Sequence, residues 1–242
     1  MIGICFAVAA ALIAARPVAA SWCDDRGNVA LAQGMTAQAA IWFQRGLSIE
    51  PASRLLREDL GRAILTADPA AALDDFTRAD CGEPCTAERG DAEARLGRAD
   101  AAAADYLTAN AATRLGDTVG RMAAAGRYRD AIALEQALID HLDPVLDQAD
   151  IAAADARVGA LEVTAAKSDA RDASELRQSA ITSFAAASRL APLNEGYLLS
   201  LGYAQMQWGD RTAARRAFER VLELHPTQAD AESGLDRLGP DR

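Results

Sequence analysis

Five residues at fixed spacing occur twice, near the two ends of a 242-residue chain. Gly27, Gly34, Ala39, Phe43 and Pro51 are separated by steps of 7, 5, 4 and 8, and Gly202, Gly209, Ala214, Phe218 and Pro226 by the same four steps. Ala180, Phe184, Leu190 and Pro192 recur 34 residues later as Ala214, Phe218, Leu224 and Pro226. A fixed period of this size restricts the fold to stacked copies of one small supersecondary unit. Each member of the set has a physical task in a helix–turn–helix. Gly27 and Gly202 let two helices approach, and Gly34 and Gly209 are expected to end the first helix in a left-handed conformation. Thr36 or Asp210 then offers a side-chain oxygen to cap the second helix, and Asp68-Pro69 does so with proline at the first helical position. The Ala–Phe pair four residues apart puts an aromatic plug on one buried face. The prolines cannot continue a helix.

Looser copies fill the space between. Gly61, Ala72, Phe76 and Pro84 repeat the set with one residue fewer near the turn, and Val119, Gly126, Ala131 and Pro144 repeat it with Glu135 where Phe is expected. The stretches 86–112 and 145–175 are degenerate, and the first helix of the unit ending at Pro192 is expected over Glu162–Ser174, without a glycine. These residues and spacings resemble the tetratricopeptide repeat, a helix–turn–helix unit of 34 residues. The match is close over Gly196–Gln228 and Cys23–Ala52. The resemblance implies an all-α solenoid over residues 21–242, with about six hairpins and a C-terminal capping helix at Ala231–Leu238. The acidic stretch Asp140–Asp155 is expected as a longer helix or an insertion, with its carboxylates in solvent.

Residues 1–20 read as a signal peptide. Ile2–Ala15 is uncharged and apolar, and Val18-Ala19-Ala20 supplies the small residues of a cleavage site before Ser21. No Lys or Arg precedes the apolar run, so an uncleaved anchor is the competing reading. About fourteen residues of helix span ~21 Å, short of a ~30 Å hydrocarbon core. Trp22 directly before Cys23 is a poor match to a lipid-attachment signal. Cleavage predicts a periplasmic or secreted protein with no membrane insertion afterwards. In that compartment Cys23, Cys81 and Cys85 can oxidise. Gly82 and Pro84 form a turn that can bring Cys81 and Cys85 within bonding reach, and this staple is the leading expectation. A bond from either to Cys23 is the second, and reduced buried thiols the third.

The sequence shows no recognisable catalytic residue, cofactor-binding set or metal-ligand set. The chain has no Gly-rich phosphate loop, no Gly-x-Ser-x-Gly elbow and no His-Glu-x-x-His helix. His141 and His225, its two histidines, stand near helix ends, where they complement the helix dipole. The acidic pairs Asp24-Asp25 and Asp74-Asp75 lack the aromatic platforms of a sugar cleft. A formal charge of −10, with Lys167 the one lysine, argues against nucleic acid or an anionic membrane surface as ligand.

The expected function is therefore a non-enzymatic scaffold or assembly factor in the cell envelope, binding other proteins. The family resemblance implies a concave groove, lined by the first helices, that takes a peptide or helix of the partner. In the last repeat Leu199, Tyr203 and Met206, at spacings of four and three, are the candidate contacts, with Leu198 and Leu201 turned to the paired helix. Asn28 and Arg62 hold matching places in the first two repeats and would add polar contacts to the same groove. The alternative for the stripe is packing against the capping helix. The alternative functions are a solenoid that binds a small ligand, or a regulatory subunit of an envelope enzyme.

Overall fold

A computed structural model describes residues 2–80, 82–168 and 171–239, with side chains from Arg16 onward. All regular structure among them is α-helical, and the chain divides into two compact units, Met1–Leu115 and Gly116–Arg242. The first unit holds α1 (Ile2–Ala32), α2 (Thr36–Ile49), α3 (Arg54–Ile64), α4 (Pro69–Ala79), α5 (Glu83–Arg95) and α6 (Ala99–Thr108). α7 (Ala112–Ala124) crosses the division. The second unit continues with α8 (Tyr128–His141), α9 (Gln148–Ser168), α10 (Ala173–Leu190), α11 (Glu195–Trp208), α12 (Arg211–Leu224) and α13 (Ala229–Leu238).

Consecutive helices pair as hairpins, α1 with α2, α3 with α4, α5 with α6, α9 with α10 and α11 with α12, and α2, α4, α8, α10 and α12 each also pack on the helix that follows. α7 and α8 keep the same order of helix, glycine turn and helix, with Gly126 at φ 73°. This is the expected all-α solenoid of hairpins, closed by α13 as the terminal cap.

The packing unit is a ring set against a glycine. A Cβ built on Gly27 would lie 2.3 Å from the Phe43 ring, and one on Gly61 would lie 2.6 Å from Phe76. Gly202 faces Phe218 in the same way, and on its other side Phe218 meets Gly234 of α13, where a Cβ would come within 2.6 Å. No real Cβ tolerates such distances, so these glycines are required for close approach. The rings are fully buried, as are Ala39, Ala72 and Ala214 one turn before them. Burying each ring contributes roughly 1.5–3 kcal/mol.

The two stretches expected to be degenerate fold as hairpins of the same design. In α5 and α6 a Cβ on Gly90 would stand 3.0 Å from the Tyr106 ring, which is fully buried. In α9 and α10 Gly159 receives Phe184, at 2.9 Å from a built Cβ. This corrects the expected first helix at Glu162–Ser174. The helix is α9, it begins at Gln148, and its glycine, Gly159, lies three residues before that window. The acidic stretch Asp140–Asp155 is therefore the end of α8, a loop and the start of α9. Asp143 holds that loop by accepting from the backbone N–H of Val145 and Leu146 at 2.8 and 3.0 Å, and these bonds hold its pKa below the usual carboxylate value.

Two local expectations also change. Gly34 is left-handed at φ 74°, but Gly209 sits at φ −126°. Its lack of a side chain serves space instead, since a Cβ there would approach Ile181 to 3.1 Å. Asp210 caps α12 by accepting from Thr212 at 2.7 Å and Asp68 caps α4 by accepting from Ala71 at 3.0 Å, whereas Thr36 lies inside α2 and provides no cap.

Candidate functional site

The first helices α9 and α11 of two successive hairpins leave a groove of about 390 Å³ between them in the second unit. Ala160, Val163 and Thr164 form the α9 wall, and Ser200, Tyr203 and Gln207 form the α11 wall. Phe184 and Ala204 make an apolar floor, and Trp208 closes one end with the Arg177 guanidinium 5.7 Å from its ring. Apolar surface is thus flanked by one hydroxyl or amide per helical turn. That arrangement can hold an extended peptide or a helix edge, with side chains on the floor and backbone groups at Thr164, Ser200 and Gln207.

Tyr203 is shared between this groove and the cap. Its ring stands edge-on to Phe218 at 5.1 Å between centroids, and its hydroxyl donates to the Asp230 carbonyl of α13 at 2.7 Å. Leu199 and Met206 are half-buried against the cluster of Phe218, Ala231 and Leu238. Leu198 is buried in that cluster, and Leu201 packs on the preceding one around Ala180 and Phe184. The stripe is therefore divided. Tyr203 faces the groove, while Leu199 and Met206 support the cap. Ser200 and Gln207 escaped the sequence reading, although they stand three before and four after Tyr203, which is the spacing that marks one helix face.

Asn28 and Arg62 belong to the first unit. Asn28 is exposed on α1. Arg62 is engaged by three carboxylates, with Glu58, with Asp59 at 2.9 Å and with Glu88 of α5 at 2.5 Å. Burial pushes the Glu88 carboxyl up against the lowering effect of Arg62. Beside this group Asp24 of α1 is pushed up to about 6, by burial first and then by the charges of Asp59 and Asp25. Further along, Asp91 accepts from the Tyr106 hydroxyl at 2.6 Å and from Arg114 at 2.6 and 2.9 Å. These pairs lace neighbouring first helices together.

In the second unit Glu135 is fully buried at the place of the ring, and both its oxygens accept from Arg157 of α9, at 2.6 and 2.9 Å. A wider hollow of about 630 Å³ is lined by Arg127, Tyr128, Arg129, Ser168 and Leu176, and Arg129 is paired there with Asp172.

Among the described residues Glu58, Cys85 and Glu88 are the group whose ligand atoms lie close enough for a metal, within 4.8 Å. They do not fit one, because Cys85 is disulfide-bonded and both glutamates are paired with Arg62. Cys23 is free and buried, and Cys81 lies outside the described residues. His225 ends α12 and pairs through Nδ1 with Glu195, and Asp74 and Asp75 pair with Arg78 and Arg57 at 3.0 and 3.7 Å.

Comparison with known proteins bears on the last hairpin. Residues 196–228 match the tetratricopeptide-repeat family model. No curated protein matches the chain. Among solved structures, the APC/C hetero-tetramer Cut9–Hcn1 is 14% identical over 97% of this chain and 45% of its own, with a TM-score of 0.44. MamA is 17% identical over 87% of this chain and 94% of its own, with a TM-score of 0.35. The pilF protein of Pseudomonas aeruginosa is 16% identical over 90% of this chain and 97% of its own, with a TM-score of 0.40.

Proposed function

With residues 196–228 forming a tetratricopeptide repeat, a unit of protein–protein interaction scaffolds, we propose that the chain is an exported scaffold or assembly factor of the cell envelope. It captures a peptide or helix of a partner protein in the groove between α9 and α11. The observation that carries this reading is the groove itself, an apolar floor of Phe184 and Ala204 between Thr164 on one wall and Ser200 and Gln207 on the other. Export rests on the apolar run Ile2–Ala15 and the Val18-Ala19-Ala20 signature. In an oxidising compartment Cys81 is the natural partner of Cys85.

Thr164→Arg and Gln207→Arg place long side chains across the groove from exposed positions, so folding is untouched. Protein recovered from the envelope should begin at Ser21 by intact mass. Used as bait, it should lose its partner when either arginine is present, with an unchanged melting temperature. Retention of the same partner by both variants would move the binding site elsewhere.

A further inference from the structure

Exposed large apolar side chains collect on the first hairpin. Trp22, Val29, Met35 and Ile41 are all between 43% and 53% exposed. On α1 they lie in one stripe, since Trp22, Asp25 and Val29 follow at steps of three and four, on the side away from buried Cys23, Gly27 and Ala30. On α2 Ile41 and Arg45 stand four residues apart on the outer side, away from buried Ala39, Phe43 and Gly46. The edge contact of Trp22 with Trp42, 5.1 Å between centroids, joins the two stripes into one plate. Arg26 lies over the Trp22 ring at 5.4 Å and Arg45 over Trp42 at 4.8 Å.

A terminal hairpin of a stacked array needs a polar outer face, and α13 serves the last hairpin in that way. The first hairpin has an apolar face with tryptophan at its centre, the composition of an interface hot spot. The charge on the plate identifies the occupant. Exposed Asp25 shares the α1 stripe with Trp22, and Arg26 and Arg45 lie over the two indole rings, so the face carries both signs and can complement a second copy of itself. An anionic lipid surface would meet Asp25 and a chain of net charge −10. We propose that this plate pairs across a two-fold axis with the same plate of a second copy of the chain. Trp22 and Trp42 form the dry centre, and Asp25 of each copy faces the arginines of the other. Such an isologous contact closes on itself and gives a dimer.

Sedimentation velocity of the purified chain over a concentration series reads the dimer directly. Trp22→Ser should weaken association at least about tenfold while the monomer keeps its helical circular-dichroism spectrum. Asp25→Arg makes the plate wholly basic and Arg26→Glu makes it more acidic, so each variant alone should sediment as a monomer. An equimolar mixture of the two should associate again, which a merely unfolded variant could not do. The proposal is overturned if the native chain stays monomeric throughout, or if its dimer is indifferent to all three variants. It is also overturned if the monomer instead floats with phosphatidylglycerol vesicles and Trp22→Ser abolishes that flotation.

Discussion

Phe218 and Glu135 occupy the same place in their hairpins, four residues after a fully buried alanine, and both are fully buried themselves. Phe218 is a ring held between Gly202 and Gly234. Glu135 is a carboxylate held by the two N–H groups of Arg157 on the next helix, and the residue at the glycine's place in that unit is Val119. The same position in one architecture can be filled by area or by charge. The two solutions fail differently. An aromatic plug loses contacts in proportion to the volume removed, whereas a buried ion pair is costly when broken on one side and nearly neutral when both partners are replaced by apolar groups.

The largest expected effect is on the aromatic side. Phe218→Ala should destabilise the last hairpin by about 3–5 kcal/mol, and α13, which rests on the ring, should lose hydrogen-exchange protection with it. If α13 keeps its protection in this variant, Phe218 does not hold the cap.

Breaking the pair comes next. Arg157→Ala leaves the Glu135 carboxylate buried alone and should cost about 2–4 kcal/mol, less than a fully buried pair because the Arg157 side chain is 46% exposed. Glu135→Met combined with Arg157→Met should recover most of that loss in a urea melt. Additive losses in the double variant would mean that the two residues act independently, and the contrast with Phe218 would fall.

The smallest effect tests a half-buried carboxyl whose charged neighbours are Asp59 and Asp25. Asp24 is pushed up to about 6 by burial and by Asp59. Its folded-state pKa lies above the unfolded one, so its contribution is fully present below about 4 and is lost as the pH rises through about 6. Asp24→Asn should therefore be more stable than the native chain at neutral pH, by about 1 kcal/mol or less once solvent screening is counted. The advantage should vanish at low pH. A stability difference that is flat across this window would show that Asp24 ionises as it does in the unfolded chain.

The alternation of rings, small residues and turns made the hairpins legible from the sequence, including Phe43, Phe76 and Phe218. One further copy keeps the spacing but not the residue types. Gly90, Gly97, Ala102 and Tyr106 follow at 7, 5 and 4, but Tyr stands for Phe and Arg114 for the closing proline. Tyr106 replaces the missing punctuation by a hydrogen bond to Asp91, which Arg114 also holds. The hairpin of α9 and α10 was hidden for another reason. Its helices run to 21 and 18 residues, which displaces Gly159 from the period while keeping it against Phe184. For the groove, Tyr203 was readable from helical spacing, but its hydrogen bond to Asp230 joins residues 27 apart across two helices. The engagement of Arg62 by Glu88, 26 residues on, is of the same kind. No local pattern encodes such pairings, because they depend on which faces the stacking brings together.

The contact of each ring with a glycine also sets the order in which such a chain can change over generations. A side chain larger than hydrogen at Gly27, Gly61 or Gly202 collides with a ring already in place, so that substitution is blocked while the aromatic remains. Once the aromatic has gone, the facing position is released and drifts freely, and a later return of the ring is then barred by whatever has settled there. Replacement of the plug is thus a one-way step. In a tandem array it erases the recognisable pattern copy by copy while the helices themselves persist.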